Sequence, residues 1–408
     1  MQLTRPTAHD WTTPATYWPG LDAATAQLDP PFGVISLPAL AHNAFSMLDR
    51  VGSKPIRVAS KSVRVRSVLD AVLALPGYAG VLAYTLPEAL WLASTIPDVV
   101  VGYPTADRAA IRQLATDSLL AARVTLMVDS IEQLDFIDSV IPPDQRETIR
   151  VCLELEVSYQ GRFVGYIGVR RSPIHSPEQA ENFAVSIINR PGFRLVGVMG
   201  YEAQVAGVTN VLPGNPVRGA IIRGMQRSSV TELAERRGAA VAAVRNVVDL
   251  EFVNGGGTGS LESTAADESV TEVAAGSGLF GPHLFDHYGH FTPAPAASFA
   301  LSVVRRPTAQ IATVMGGGWI ASGPHGPDRA PLAVWPEGLT LLGREGAGEV
   351  QTPYTGAAAS TMRVGDRVWL RHTKAGEISE HLNEFAIVDG GAVVETVPTY
   401  RGEGMAFL

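Results

Sequence analysis

A lysine follows a short apolar stretch near the start of the chain. Residues 56–60 are apolar or small apart from Arg57, and Pro55 precedes them, which predicts a buried strand that ends at Lys61. An ammonium group at the end of a strand either reaches water or serves a site that uses its charge. Taken alone, Lys61 is most simply interpreted as a solvated residue at the rim of a barrel.

A glycine-rich turn follows another predicted strand much later in the chain. Gly255, Gly256 and Gly257 lead into Thr258 at the end of residues 251–254, and consecutive backbone amides in such a turn can hold a phosphate. The spacing fits neither the dinucleotide nor the Walker pattern, so a flexible turn is the simpler interpretation of this motif alone. A lysine that can form a Schiff base and a phosphate-binding turn, both at strand ends, together predict bound pyridoxal phosphate.

Eight predicted strands that alternate with helices would position these residues. Most of the strands are continuous apolar runs, as expected of parallel strands that are covered on both faces. They span residues 56–60, 80–83, 99–101, 125–128, 150–157, 193–198, 251–254 and 272–275. The helices between them are predicted at 63–75, 87–94, 106–116, 131–139, 177–189, 219–237 and 239–248. The alternation predicts an α/β fold, a (β/α)8 TIM barrel, whose chemistry lies at the carboxyl ends of its strands.

The pattern changes after residue 281, where helical periodicity gives way to short strands and turns. Predicted strands span residues 299–304, 310–315, 339–342, 348–351, 367–371, 384–388 and 393–397, and residues 34–37 are a further candidate. We therefore predict an N-terminal arm (1–30) that packs on another part of the protein, the barrel (31–290) and a C-terminal all-β domain (291–408).

Composition and charge argue against several classes of protein. The net charge of −8 disfavours nucleic acid and anionic membranes as partners, because both need concentrated positive charge. The longest apolar stretch, 71–93, is broken by prolines and a glutamate, and the first residues lack the apolar core of a signal peptide. The single cysteine, Cys152, excludes an internal disulfide. We predict a cytoplasmic protein.

The combination of barrel lysine, late glycine turn and terminal β-domain resembles the alanine-racemase-type, fold type III pyridoxal-phosphate enzymes. Within them it resembles the branch of D-threonine aldolase, D-serine dehydratase and amino acid deaminase. The resemblance covers residues 31–400, and its most specific motif is the segment 255–260, Gly-Gly-Gly-Thr-Gly-Ser. Further matches are Pro31-Phe32-Gly33-Val34-Ile35, Thr85-Leu86-Pro87-Glu88-Ala89 and Gly276-Ser277-Gly278.

The resemblance implies a set of cofactor-binding residues. Lys61 would carry pyridoxal 5'-phosphate as an internal aldimine and then act as the base at Cα of the substrate. Tyr201 would face the cofactor, and Arg162 would place a cation beside its ring, with Arg170 as a competing candidate. An ordinary surface cation is an equally simple interpretation of either arginine. The phosphate would be held by Gly255, Gly256, Gly257, Thr258, Gly276 and Ser277.

One part of the sequence departs from that branch, whose members hold a divalent metal with a His-x-Cys or His-x-Asp pair in the β-domain. Here Lys374 stands at the second ligand position after His372, and a protonated lysine does not bind metal. Three alternatives are open. His372 binds a metal with Glu377, Glu380 or His381; or Lys374 replaces the metal with its own charge; or the segment is a charged structural hairpin. We predict that His372 reaches the active site, as a catalytic residue and candidate metal ligand.

The resemblance implies a lyase that acts on D-β-hydroxy amino acids by aldol cleavage or by dehydration with deamination. The first alternative is an amino-acid racemase, which needs acid-base groups on both faces of the substrate; Tyr354 is the one tyrosine well inside the predicted β-domain. Another is a non-catalytic, pyridoxal-phosphate-binding regulatory protein, or a barrel that has lost the cofactor. The β-domain favours an enzyme, because ordering a lid costs conformational entropy. The family also implies a homodimer.

Overall fold

The structure is a computed structural model that describes residues 1–161, 165–324 and 326–408. The strands in these residues are β1 (Phe32–Ser36), β2 (Ile56–Ala59), β3 (Tyr78–Ala83), β4 (Val99–Val101), β5 (Val124–Val128), β6 (Ile149–Glu154), β7 (Tyr159–Gly161), β8 (Gly165–Ile167), β9 (Phe193–Gly200), β10 (Phe252–Gly255), β11 (Glu272–Ala275), β12 (Ala297–Thr308), β13 (Ile311–Met315), β14 (Leu332–Trp335), β15 (Thr340–Leu341), β16 (Gln351–Thr355), β17 (Arg367–Arg371), β18 (Glu384–Asp389) and β19 (Ala392–Pro398). The α-helices are α1 (Pro14–Ala24), α2 (Leu37–Val51), α3 (Arg66–Leu73), α4 (Leu86–Leu92), α5 (Arg108–Thr116), α6 (Ser118–Arg123), α7 (Ile131–Val140), α8 (Pro177–Ile188), α9 (Ala203–Ala206), α10 (Pro216–Arg245), α11 (Leu261–Ala265) and α12 (Glu377–His381).

The chain divides into two compact units, each made of separate segments. One unit contains Met1–Ser46, Ser62–Val72 and Gly276–Ala406, and the other contains Met47–Lys61, Leu73–Ala275 and Phe407–Leu408. The predicted division into an N-terminal arm (1–30), a barrel (31–290) and a C-terminal β-domain (291–408) stays a prediction. Strand β1 pairs with β12 and β18, which joins the beginning of the chain to its C-terminal part.

The second unit is a closed barrel of eight strands in the order β10-β11-β2-β3-β4-β5-β6-β9. All neighbouring pairs are parallel. Strands β4 and β5 are buried at every residue, which explains their continuous apolar sequences. The predicted α/β TIM barrel is therefore confirmed, and each of its predicted strands is present with small shifts at the ends.

An ion-pair cluster is buried among the apolar side chains of the barrel. Arg57 on β2 donates to both carboxylate oxygens of Glu272 on β11, at 2.6 and 2.9 Å, and to Asp98 at 2.8 Å. Asn254 on β10 donates to the same glutamate at 2.8 Å. These hydrogen bonds compensate for the cost of removing the charges from water.

Replacing Arg57 by methionine should lower the free energy of unfolding by about 3–5 kcal/mol, because it leaves Glu272 buried without its cation. Urea denaturation would measure this change. Arg194→Met is the matched control, since Arg194 pairs with Glu251 at the surface with 58% of its side chain exposed. The control should cost no more than about 1 kcal/mol. Equal losses in the two variants would contradict a stabilising role for the buried cluster.

The first unit contains a nine-stranded sheet in the order β15-β16-β13-β12-β1-β18-β19, with β17 joined to β12 and β14. This confirms the predicted strand-rich C-terminal part. The N-terminal segment packs on the sheet through α1, which begins at Pro14. Trp18 of this helix lies in an apolar cluster with Val34 and Trp369, and Asp22 accepts a hydrogen bond from the Trp369 indole at 3.0 Å.

Some predictions of local structure are wrong. The break predicted at Gly238 is absent, because α10 is continuous; a single glycine costs a helix only about 1 kcal/mol relative to alanine, and buried neighbours such as Val241 stabilise this segment. The strand predicted at 348–351 lies instead at β16. The sequence also gave no indication of β14 or of the hairpin β7–β8. Among the described residues, no helix combines the length and apolar character needed to cross a membrane.

Candidate active site

Lys61 lies in a short 3-10 helix, Ser60–Ser62, directly after β2. The Ser60 hydroxyl donates to the backbone oxygen of Leu82 at 3.1 Å, which ties the end of β2 to β3. Lys61 Nζ lies 3.3 Å from the hydroxyl oxygen of Tyr103, in the segment that follows β4. Lys61 is only half exposed. Its amine is therefore held at the carboxyl end of the barrel strands, where barrel enzymes carry their chemistry.

A row of contacts leads from Lys61 to the glycine-rich turn. The guanidinium carbon of Arg171 lies 5.0 Å from the ring centre of Tyr103 and 4.8 Å from that of Tyr201, within the range of cation–π attraction. Tyr201 follows β9 and packs against the turn, since a Cβ added to Gly257 would lie 3.2 Å from its ring. Lys61, Tyr201 and Gly257 thus lie in the barrel unit and are linked through Tyr103 and Arg171. Their predicted roles in binding a cofactor stay predictions.

The loop that carries Arg171 is fixed by acidic residues at the end of β6. Glu156 accepts hydrogen bonds from the backbone amides of Arg171 at 2.6 Å and Ser172 at 3.3 Å. The Ser172 hydroxyl donates to the backbone oxygen of Glu154 at 2.7 Å. Arg170 has a φ of +48°, a left-handed conformation that costs a non-glycine residue about 1–2 kcal/mol. These contacts direct Arg171 toward the two tyrosines.

The side chains around Arg171 include two groups whose pKa values move toward neutrality. Burial, reinforced by the negative charge of Asp129, outweighs the attraction of Arg171 and raises the pKa of Glu154 to about 7. Glu154 Oε1 lies 3.6 Å from Arg171 Nη1. Burial also raises the pKa of Tyr103, but the positive charges of Lys61 and Arg171 outweigh it, so the net effect lowers this pKa. In contrast, burial raises the pKa of Tyr201 to about 12.

The two arginines proposed from the sequence are Arg162 and Arg170. Arg162 lies outside the described residues, so its predicted role stays a prediction. Arg170 borders a cavity of about 460 Å³, with its guanidinium carbon 4.4 Å from the ring centre of Tyr166. Among the residues that the structure describes, Arg171 contacts the predicted site residue Tyr201, and the sequence analysis did not single it out.

The glycine-rich turn is shaped by close packing of its backbone. Gly256 has a φ of +86°, and a Cβ at this residue would lie 2.6 Å from the Val273 side chain. A Cβ on Gly255 would lie 2.7 Å from the guanidinium of Arg237. The backbone amide of Gly256 donates to the buried Glu202 at 2.9 Å. Gly255 and Gly256 therefore serve the shape of the turn, and the Gly256 amide is engaged by a carboxylate.

The second half of the turn contains the amide best suited to a phosphate. The Gly257 amide donates to the Ser260 hydroxyl at 3.2 Å, a long hydrogen bond that a phosphate oxygen could replace. Thr258 begins the 3-10 helix Thr258–Ser260, and its backbone oxygen accepts from Arg50 at 2.8 Å. A Cβ at Gly257 would lie 2.9 Å from Ala206 and 3.2 Å from the Tyr201 ring, so this part of the turn stays open only with glycine. The backbone of Gly257 and Thr258 therefore fits the phosphate of pyridoxal phosphate.

Gly276 and Ser277 directly follow β11 in the chain, and Ser277 begins the 3-10 helix Ser277–Leu279. Both residues belong to the unit that contains the large sheet. Their predicted part in binding the phosphate stays a prediction.

His372 follows β17 and is buried, with only 1% of the residue exposed. Burial lowers its pKa to about 4, so the imidazole is neutral at neutral pH. The carboxylate of Glu377 accepts hydrogen bonds from three consecutive backbone amides, those of Thr373 at 3.0 Å, Lys374 at 2.6 Å and Ala375 at 2.8 Å. The Glu377 carboxylate therefore stabilises this loop through hydrogen bonds. The catalytic role predicted for His372 stays a prediction.

The other candidate metal ligands are also engaged elsewhere. Glu380 pairs with Arg64, and the His381 ring stacks on Trp319 with 4.8 Å between ring centres. Lys374 Nζ donates to the backbone oxygen of Ser322 at 3.3 Å. Within residues 1–161, 165–324 and 326–408, no group of three or more His, Cys, Asp and Glu side chains is arranged to hold a metal ion. The described residues around His372 therefore do not fit a divalent metal.

Comparison with known proteins identifies the family. Residues 35–283 match the family model described as alanine racemase, N-terminal domain, which is more than half of the chain. The chain belongs to this family. The membership predicted from Lys61 and the glycine-rich turn is thereby confirmed. Among curated proteins, none matches the sequence significantly.

Several solved structures share the fold over more than nine tenths of the chain. D-Threonine aldolase from Filomicrobium marinum has a TM-score of 0.73 and 20% sequence identity, covering 94% of this chain and 97% of its own. D-threo-3-hydroxyaspartate dehydratase from Delftia sp. HT23 has a TM-score of 0.68 and 20% identity, covering 92% and 98%. Alanine racemase from Bacillus anthracis has a TM-score of 0.57 and 16% identity, covering 92% and 99%. At these identities the similarity establishes the fold.

Proposed function

We propose that the chain is a pyridoxal-phosphate-dependent lyase that acts on D-β-hydroxy amino acids by aldol cleavage or by dehydration. The observation that carries this proposal is the row of contacts from Lys61 through Tyr103, Arg171 and Tyr201 to Gly257. Two structurally similar proteins, a D-threonine aldolase and a D-threo-3-hydroxyaspartate dehydratase, support the choice of substrate class and of a lyase reaction.

The residues of this site have different proposed roles. When bound, pyridoxal phosphate supplies an electron sink that weakens the bonds at Cα of an amino acid. Lys61 would hold the cofactor through its amine and would take or return the proton at Cα of the substrate. The Gly257 and Thr258 backbone holds the phosphate, and Tyr201 limits the space on one side. Arg171 places a positive charge between two aromatic rings, where it can attract the substrate carboxylate.

A pair of product assays tests the proposal. The purified protein, loaded with pyridoxal phosphate, is incubated with D-threonine and with D-serine, and aldehyde and ammonia are measured. Aldehyde from D-threonine indicates aldol cleavage, whereas ammonia from D-serine indicates dehydration. The L-enantiomers serve as controls and should react much more slowly. Absence of both products from every D-β-hydroxy amino acid tested would contradict the proposed reaction class.

A racemase is the second candidate, because alanine racemases share the family and the fold. The tyrosine considered for the opposite face, Tyr354, lies on β16 with only 1% of its surface exposed. This burial favours the lyase over the racemase. Conversion of D-alanine into L-alanine, measured on a chiral column, would indicate a racemase and thus distinguishes the two reactions. A protein that binds the cofactor but changes none of these amino acids would be the regulatory protein considered from the sequence.

We also propose that the reaction needs no divalent metal, although the resemblance implies one in related enzymes. Treating the protein with a chelator should leave its activity unchanged, and metal analysis should find less than one equivalent. The physical reason is the ligand set, in which Lys374 stands at the second ligand position and Glu377 holds backbone amides. Lys374→Cys, which creates a His-x-Cys pair, provides the comparison. Loss of activity with the chelator and recovery on adding a metal would contradict this proposal.

The predicted homodimer, the cytoplasmic location and a partner set limited to a small amino-acid substrate remain predictions. Analytical sedimentation of the full chain would test the predicted homodimer.

A further inference from the structure

Tyr103 and Lys61 face each other at the carboxyl end of the barrel. Tyr103 follows β4 and Lys61 follows β2, so their contact joins two strands that are separated by β3 in the barrel. The distance of 3.3 Å between Lys61 Nζ and Tyr103 Oη is short enough for a weak hydrogen bond from the ammonium group. Both residues are partly exposed. This contact is therefore accessible, unlike the ion pairs of the barrel core.

The charged groups around Tyr103 are mainly positive. Lys61 approaches its hydroxyl, and the guanidinium carbon of Arg171 lies 5.0 Å from its ring centre. The acidic groups nearby interact with Arg171 or with one another. Glu154 lies 3.6 Å from the Arg171 guanidinium, and Asp129 is a second negative charge close to Glu154. Two cations next to one phenol favour its ionised form.

We infer that Tyr103 is the acid–base partner of Lys61. The inference deepens the proposed function and rests on it, because it assigns a proton acceptor to the lysine of that site. A proton leaves Nζ of the Lys61 ammonium and binds Oη of the Tyr103 phenolate, which yields a neutral amine and a neutral phenol. Only one N–H bond breaks and one O–H bond forms, so the step needs no other reactant.

This proton exchange explains how Lys61 can become a base. An ammonium group has no lone pair, so it cannot take a proton from Cα until its own extra proton has moved elsewhere. The Tyr103 phenolate stores that proton within hydrogen-bonding distance and returns it when Lys61 has to act as an acid. Burial raises the pKa of Tyr103, yet Lys61 and Arg171 outweigh this effect and lower it, which brings the phenol closer to the working pH.

A spectroscopic titration tests the pairing without any substrate. Tyrosinate absorbance of the full chain, freed of cofactor, is followed as pH rises. The first tyrosinate step should lie below the ordinary range of tyrosine, should vanish in Tyr103→Phe and should move to higher pH in Lys61→Ala, which removes a cation. Tyr201→Phe is the matched control and should keep this step, because burial raises the pKa of Tyr201 to about 12. The same first step in wild type and Tyr103→Phe would overturn the inference.

Kinetics of the loaded enzyme test the exchange itself. Tyr103→Phe keeps the ring that packs against Arg171 and removes only the hydroxyl, so KM should change little. The loss of an acid–base group should lower kcat by about 10²–10⁴-fold. Wild-type kcat in this variant would overturn the inference. If wild type transforms no D-β-hydroxy amino acid, the proposed function fails, and the tyrosinate titration alone decides whether Tyr103 and Lys61 are paired.

Discussion

Replacing Lys61 by alanine is expected to abolish the covalent binding of pyridoxal phosphate and to lower turnover by about 10³-fold or more. In the proposed function, Lys61 would supply both the amine that holds the cofactor and the base that acts at Cα, so one substitution would remove two functions. The visible absorbance band of the bound cofactor should be missing from the variant. Borohydride reduction followed by peptide mapping should place the cofactor of the wild type on Lys61.

The chain makes this experiment easy to interpret. It contains only three lysines, Lys54, Lys61 and Lys374. Lys54 precedes β2 and donates to the backbone oxygen of Asp267 at 2.5 Å, whereas Lys61 follows the same strand. Lys54→Ala is therefore the matched control, since it removes an amine from the opposite end of β2 and should leave the cofactor attached. Cofactor that remains covalently bound after Lys61→Ala would contradict the assignment.

The positions of Lys61 and of the glycine-rich turn were predictable because each follows a strand that its local sequence reveals. Buried parallel strands are continuous apolar runs, and the carboxyl ends of such strands meet at one end of a barrel. The same rule applies to Tyr103, which follows β4, and to Glu154, the last residue of β6. A single tyrosine or glutamate at such a position is too common to identify. Tyr103 and Glu154 stand out only through their distances to Lys61 and to Arg171.

Arg171 could not be predicted, because its position depends on contacts that are distant along the chain or specific to one loop. It lies beyond the hairpin β7–β8, where the left-handed backbone of Arg170 and the amides bound by Glu156 decide its direction. The neighbourhood of His372 is a similar case. Its sequence resembles a metal-binding segment, yet the exposed fraction of His372 and the hydrogen bonds of Glu377 follow from packing that no local pattern encodes.

Gly256→Ala is expected to weaken the binding of pyridoxal phosphate by about 10²-fold, because the turn proposed to hold the phosphate has to move. A left-handed backbone costs alanine about 1–2 kcal/mol. The added Cβ would also lie 2.6 Å from the Val273 side chain, closer than real Cβ atoms approach other atoms, and 3.0 Å from the hydroxyl oxygen of Thr264, a tight contact. Relief of this clash displaces the neighbouring Gly257 amide, which is the group best placed to donate to the phosphate.

A titration of the cofactor-free protein, followed by absorbance, measures this loss of affinity, and thermal unfolding of the same preparation measures any loss of stability. Gly238→Ala is the control: Gly238 lies inside α10, and an added Cβ there would have no atom within 4 Å. That variant should bind the cofactor as tightly as wild type and be up to about 1 kcal/mol more stable, because alanine favours a helix. If Gly256→Ala also binds with wild-type affinity, the phosphate is held elsewhere, and Gly257 and Thr258 lose their proposed role.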